Sequence, residues 1–404
     1  MPAPNFRRFV ISIALALVAD QLFIIALTWS ALHTPDGAMT LGSVMMVAAL
    51  ARAAGTPLGG FGADRFRPLP TLARVYIGRG MAVGALAAAA SISLVSNMTT
   101  LHVTALIVGF LTGLTVSPQM AAIPSLVPPA RIARGNAIVQ GMMQASIVVG
   151  PALAGWLLAQ WGVSGTWGIC AILALLAGLT LSSRTPRDQS LPKTTHERDA
   201  PRTSLAQTLR NQPVLLAILV IMGLLYLGLM GPVQVGLPTR VQASFDDDPR
   251  LLGLLLGCFG AGMLVGTIAA ARVNRPPRVG LHLLAALGIT AVGLATVGLA
   301  TGVPGTVVGL SLAGMGMGYF NITGLSWLHR AVPAAAQGRV LGLIMFSANF
   351  TATLSPLWAG WLARDGIDRV FFVGAATVGL ACAVSLVVPR LRRLRQASDP
   401  ELAR

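Results

Sequence analysis

The chain has 404 residues, of which 54% are apolar and only 10% charged, and a formal net charge of +16. A mean hydropathy of +0.74 excludes an ordinary soluble domain. The basic excess reads as membrane topology and attraction to an anionic inner leaflet, so no nucleic-acid partner is expected.

Apolar runs long enough to cross a bilayer as helices fall at 9–32, 40–63, 72–94, 101–122, 136–158, 164–183, 213–238, 251–271, 281–301, 304–328, 337–362 and 368–389. The sequence therefore predicts an all-α membrane protein with twelve transmembrane helices. The first run follows Arg7 and Arg8 and is too long for a signal-peptide core, so it is expected to be retained. It carries Asp20, and the second run carries Arg52. Each lies about twelve residues from a span end, which at 1.5 Å per residue is about 18 Å deep. They read as the only full charges near the midplane, and ionisable residues there are costly and usually paired or functional. The sequence thus predicts an Asp20–Arg52 pair, serving either as a fixed structural bridge or as a proton-coupling site.

The second run ends in "GGFGADRFRPL" at 59–69, which sets Asp64, Arg65 and Arg67 directly against apolar residues. The fifth run bears Asn136, Gln140 and Gln144 at i, i+4 and i+8, one polar helical face. It continues through Ser146, Gly150, Pro151, Ala154 and Gly155, small residues whose spacing lets helix backbones approach where lipid supplies no hydrophobic drive. In the second half, Met222, Tyr226, Met230, Met345, Phe346 and Phe350 make a softer, more apolar set. With Gln21 and Asn349, the polar face and this apolar one are expected to line a cavity for an amphipathic molecule; ordinary interhelical hydrogen bonding and packing is the alternative.

Arginine and lysine set the orientation. Of the 29, 24 lie at the N-terminus, in alternate loops or their helix ends, in the 184–212 segment or in the tail; Arg79 is counted with the loop-end group. Arg240, Arg250, Arg364 and Arg369 lie on the opposite side, near acidic residues. Both termini are expected to be cytoplasmic. The three cysteines and five histidines show no metal or disulfide spacing, and Lys193, the sole lysine, sits in no phosphate-binding loop. Neither cofactor, metal nor catalytic constellation is expected, and the protein is not read as an enzyme.

Residues 127–157 overlie 332–362 without a gap, matching Val127 with Val332, Pro128 with Pro333, Arg134 with Arg339, Pro151 with Pro356, and "AGWL" with "AGWL", which contains Gly155 and Gly360. A weaker echo relates Gly55, Gly59, Ala63 and Arg65 to Gly262, Gly266, Ala270 and Arg272, with Asp64 replaced by Ala271. The predicted organisation is a six-helix half at 1–183, a polar cytoplasmic linker at 184–212, a second six-helix half at 213–389 and a basic tail at 390–404.

Two six-helix halves in parallel repeat resemble the major facilitator superfamily. Residues 60–72, "GFGADRFRPLPTL", resemble its loop signature at Gly60, Ala63, Asp64, Arg65 and Leu72, though Arg67 stands where that signature has its second glycine. "SIVVGPALAG" at 146–155 is similar to its antiporter signature, and stretches 20–29 and 122–140 resemble the drug-efflux branch that includes macrolide and siderophore exporters. The resemblance implies a conformational latch at Gly60, Asp64, Arg65, Arg67 and Arg339. It also implies proton-driven export of a small organic molecule by alternating access, from a monomer in a bacterial cytoplasmic membrane. An importer of a siderophore, nutrient or lipid and a non-transporting receptor remain the alternative readings.

Overall fold

The computed structural model describes residues 4–91, 97–182, 213–273, 278–331 and 334–387, and among these there is no strand. Eleven helical stretches are long and apolar enough to cross a membrane. Helices α1 (Pro4–Leu32), α2 (Gly37–Phe66), α3 (Pro68–Ser91) and α4 (Met98–Leu126) come first. Helix α5 (Ile132–Ser182) has 51 residues, about twice what one crossing needs, and it breaks at Gly162, whose φ of 62° and ψ of −169° no right-handed helix contains. The break makes two arms and brings the described spans to the twelve that the hydropathy predicts.

The second set comprises α6 (Pro213–Gly231), α7 (Leu237–Ser244), α8 (Pro249–Val273), α9 (Val279–Leu299), α10 (Val303–Ala331), α11 (Ala334–Ala363) and α12 (Ile367–Val387). Helices α6 and α7 form one span through a π-helical segment at Pro232–Gly236. Pro232 has no N–H to give the preceding turn, and the helix widens there. The neighbouring Gly231 N–H donates to Ser355 Oγ at 2.6 Å. The Leu227 carbonyl instead accepts from the Ser355 hydroxyl and, at 3.1 Å, from Trp358 Nε1. Side chains of α11 thus satisfy backbone groups that lipid would leave unpaired.

The chain divides into two compact units: unit 1 is Met1–Pro192 with Pro238–Gly257, and unit 2 is Lys193–Leu237 with Cys258–Arg404. The expected linker and tail lie outside the described residues. In unit 1, α1 packs on α5, α2 on α4, and α3 on both α4 and α5. In unit 2, α6 packs on α11 and α12, and α9 on α10 and α12. The glycine contacts show the repeat in three dimensions. A Cβ on Gly55 or Gly59 would meet the α4 backbone at Phe110 and Leu114, and one on Gly262 or Gly266 would meet the α10 backbone at Ser311 and Met315.

Polar side chains secure α1 to both arms of α5. Ser12 Oγ donates to the Ala177 carbonyl at 2.7 Å, Ser146 Oγ to that of Leu17 at 3.3 Å, and Cys170 Sγ to that of Ala19 at 3.2 Å. Between membrane helices such bonds contribute on the order of 0.6 kcal/mol each. Gly155 and Gly253 face one another across α5 and α8, a Cβ on either running into the other helix's backbone at Pro249 or Pro151. The small residues of the fifth span are therefore used in close helix packing.

Candidate functional site

Asp20 is on α1 and about one third exposed; its carboxylate Oδ1 pairs with Nη1 of Arg79 on α3. Arg79 is 1% exposed. This corrects the expected Asp20–Arg52 pair: Arg52 is exposed and makes no ion pair among the described residues. Arg79 is likewise no loop-end anchor. Helix α3 begins at Pro68, four residues before the apolar run does, so Arg79 is its twelfth residue, about 17 Å from that end.

The pair lies in a dense surrounding. Tyr76, one turn before Arg79 and 1% exposed, accepts a hydrogen bond at its phenol oxygen from Gln119 Nε2 on α4, at 2.7 Å. The Cys170 sulfur sits beside the guanidinium. The Nε and Nη2 atoms of Arg79 have no oxygen or nitrogen acceptor among the described residues. A guanidinium so enclosed is held by one carboxylate, and removing that charge would leave it uncompensated in low dielectric. The carboxylate is the more accessible partner of the two. Arg79, Tyr76, Gln119 and Cys170 were missed by the sequence reasoning. The "GRG" at 78–80 was the available signal, since a glycine beside a mid-span arginine allows close approach, and Gly80 abuts Leu175 of α5.

The other expected cavity residues separate. On α5, Asn136 and Gln140 are exposed and Gln144 is half-buried, while Gln21 packs against Gly150. On α11, Met345 and Asn349 are exposed, and Asn349 turns its amide back to the Met345 carbonyl at 2.7 Å. Tyr226 is half-buried and hydrogen-bonded to Asn321. Tyr226 and Met345 line one cavity of about 240 Å³ inside unit 2, whose walls are otherwise almost wholly apolar.

At the α2–α3 turn, Asp64, Arg65 and Arg67 are exposed and Gly60 is half-buried. Phe66 receives the guanidinium groups of Arg65 and Arg74 at 5.7 and 5.8 Å from its ring centroid. Arg67, at the position of the signature's second glycine, has φ 70° and ψ 147°, which explains why glycine suits it. The Arg339 side chain lies outside the described residues. Ser146, Gly150, Pro151, Ala154, Gly155, Pro356 and Gly360 are all buried.

The family model described as Major Facilitator Superfamily matches residues 9–348 and 233–403. An uncharacterized MFS-type transporter of Bacillus subtilis, YfiS, is 26% identical over 416 residues, covering 98% of this chain and 97% of that protein. The enterobactin exporter EntS of Citrobacter koseri is 26% identical over 416 residues, covering 97% and 94%. Among solved structures, a bacterial homologue of the iron transporter ferroportin, in an inward-facing state, superposes with a TM-score of 0.73. It is 16% identical and covers 95% of this chain and 98% of that one, a likeness of fold.

Proposed function

Because the chain belongs to the major facilitator superfamily and is thus a multi-pass membrane transporter, we propose that it exports a small amphipathic organic molecule in exchange for protons. The observation that carries the coupling is the pairing of a partly exposed Asp20 with the buried Arg79. A proton arriving from outside neutralises Asp20 and removes the attraction that holds Arg79. Arg79, left without a counter-charge, then favours a conformation in which Asp20 ionises again and releases its proton inward. Each cycle moves one proton in and allows one substrate out.

Export is the direction supported by the similarity to enterobactin exporters and by the 146–155 stretch, whose buried small residues pack closely. The substrate class is an amphipathic molecule of drug, siderophore or secondary-metabolite kind. Asn136, Gln140, Gln144 and Asn349 supply the polar contacts. Asp64, with Arg65, Arg67 and Arg339, acts as a latch on the cytoplasmic side, where the arginine distribution also puts both termini.

The experiment is substrate-dependent proton flux in proteoliposomes, using a compound first identified by an export screen in cells lacking other pumps. Proton movement opposite to the substrate supports the proposal. Movement in the same direction gives the importer reading, and substrate transport without proton flux removes the coupling role of Asp20.

A further inference from the structure

The two units differ in how they fill one interior region. In unit 1 a packed cluster includes Phe6 and Phe9 of α1, Tyr76 of α3, Ile123 of α4 and Val139 of α5, all buried, with the Phe6 and Phe9 ring centroids 6.3 Å apart. The matched contacts relate this region to unit 2. Gly150 meets Gln21 while Ser355 bonds to Leu227, so α1 and α6 correspond with an offset of 206. Gly59 meets Leu114 while Gly266 meets Met315, so α4 and α10 correspond with an offset of 201. Gly178 meets Ile77 and Cys382 bonds to Leu284, which carries the 207 offset of α2 and α8 into α3 and α9.

In that frame Tyr76 becomes Leu283, Ile123 becomes Gly324 and Val139 becomes Ile344, and all three unit 2 residues line the 240 Å³ cavity. Phe6 and Phe9 correspond to Gln212 and Leu215, neither of them aromatic, whose side chains lie outside the described residues. Where unit 1 packs Tyr76, Ile123 and Val139 together, the corresponding described residues of unit 2 surround a cavity. Its volume exceeds the roughly 150 Å³ of an apolar cavity that takes benzene, and falls below that of a site for a whole drug-sized ligand. Tyr226 and Asn321 place one hydrogen-bonding pair on its wall.

We infer that this cavity is a binding site for a single aromatic ring carrying one neutral hydroxyl, the ring taking space that Tyr76 and Ile123 fill in unit 1, where unit 2 has the smaller Leu283 and Gly324, and the hydroxyl meeting Tyr226 and Asn321. The inference concerns binding within unit 2 and stands whether transport is outward or inward. Its physical basis is that an apolar cavity gains the contacts its lining lacks when a group of matching shape enters. A hydroxyl both donates and accepts, so it joins the Tyr226–Asn321 pair in either hydrogen-bond direction.

Gly324 provides the test. A Cβ there would meet only Leu283 Cδ2, at 3.9 Å, so a larger side chain grows into the cavity without striking backbone. Binding of 2-(4-fluorophenyl)ethanol to the full chain in lipid nanodiscs is measured by fluorine NMR, with partition into lipid subtracted using empty discs. The expected result is a saturable component in the native protein that is lost in Gly324→Leu, while that variant melts at the same or a higher temperature. Asn321→Leu is expected to weaken the probe about fivefold to tenfold while leaving 4-fluoroethylbenzene binding unchanged. No saturable component in the native protein, or an unaltered one in folded Gly324→Leu, overturns the proposal. Tighter competition by 1-octanol than by 2-phenylethanol also overturns it, because that outcome assigns the cavity to a linear acyl chain.

Discussion

Units 1 and 2 share a helix arrangement and differ in what occupies equivalent positions. Asp20, Arg52, Arg79 and Gln119 of unit 1 correspond to Tyr226, Phe259, Ala286 and Phe320 of unit 2, by the offsets that the glycine contacts define. Every charge at these positions belongs to unit 1. Unit 2 has in their place a phenol and a ring that line an apolar cavity, a second ring and a methyl group. The backbone contacts that set helix spacing are retained in both, with Gly55 and Gly59 matched by Gly262 and Gly266. Repetition therefore preserves what membrane packing requires, and the side chains facing the interior of each unit diverge into an electrostatic region and an apolar one.

The largest effect that separates the two is expected from Arg79→Leu. It leaves the Asp20 carboxylate, itself about one third exposed, without its partner, so the cost should lie toward the lower end of the about 3–5 kcal/mol that breaking a fully buried pair carries. Thermal unfolding in detergent should show a lower midpoint, largely recovered in the Asp20→Asn/Arg79→Leu double variant, which has no orphaned charge. Ala286→Leu, at the corresponding place in unit 2, should cost about 1–3 kcal/mol by overpacking alone. Full additivity of the two unit 1 changes would refute the pairing.

A second comparison tests the shared scaffold. Gly59→Val and Gly266→Val each force the same pair of backbones apart, so both should destabilise by about 1–3 kcal/mol, and by similar amounts. A large loss in one and none in the other would break the structural repeat. At the α2–α3 turn, Arg67→Gly should stabilise by about 1 kcal/mol, because a non-glycine residue at φ 70° carries backbone strain that glycine does not. The smallest effect is expected from His33→Ala. His33 Nε2 pairs with Asp247 at 2.9 Å, but both side chains are about two-fifths exposed, so the change in stability should stay below about 1 kcal/mol.

The fold was legible because bilayer thickness imposes a length on every span and because the 127–157 and 332–362 stretches repeat without a gap. Gly162 illustrates what hydropathy adds to helix geometry: separate runs at 136–158 and 164–183 mark two crossings inside one continuous helical stretch. Asp20 was legible as an interior charge because it lies deep in an apolar run. Its partner was not, since Arg79 is the eighth residue of the 72–94 run but the twelfth of the helix, which starts at Pro68. Apolar runs define where side chains are greasy, and helices extend beyond them. Arg52 is at a comparable depth and, three and seven residues before Gly55 and Gly59, shares their side of α2, yet its side chain is exposed. The cavity was legible only in part. Tyr226 and Met345 were singled out, but the smaller counterparts of Tyr76 and Ile123, Leu283 and Gly324, become meaningful only when contacts align the two units.

The central claim is that Asp20, held by Arg79, couples transport to protons, and it is tested most directly by proton flux through the Asp20→Asn variant. Proteoliposomes enclosing a pH-sensitive dye are given the substrate found by the export screen, with substrate binding measured in parallel. The account predicts that the Asp20→Asn protein binds substrate and exchanges it across the membrane without a proton signal and without accumulation against a gradient. Uphill, proton-coupled transport by that variant at the native rate would contradict it.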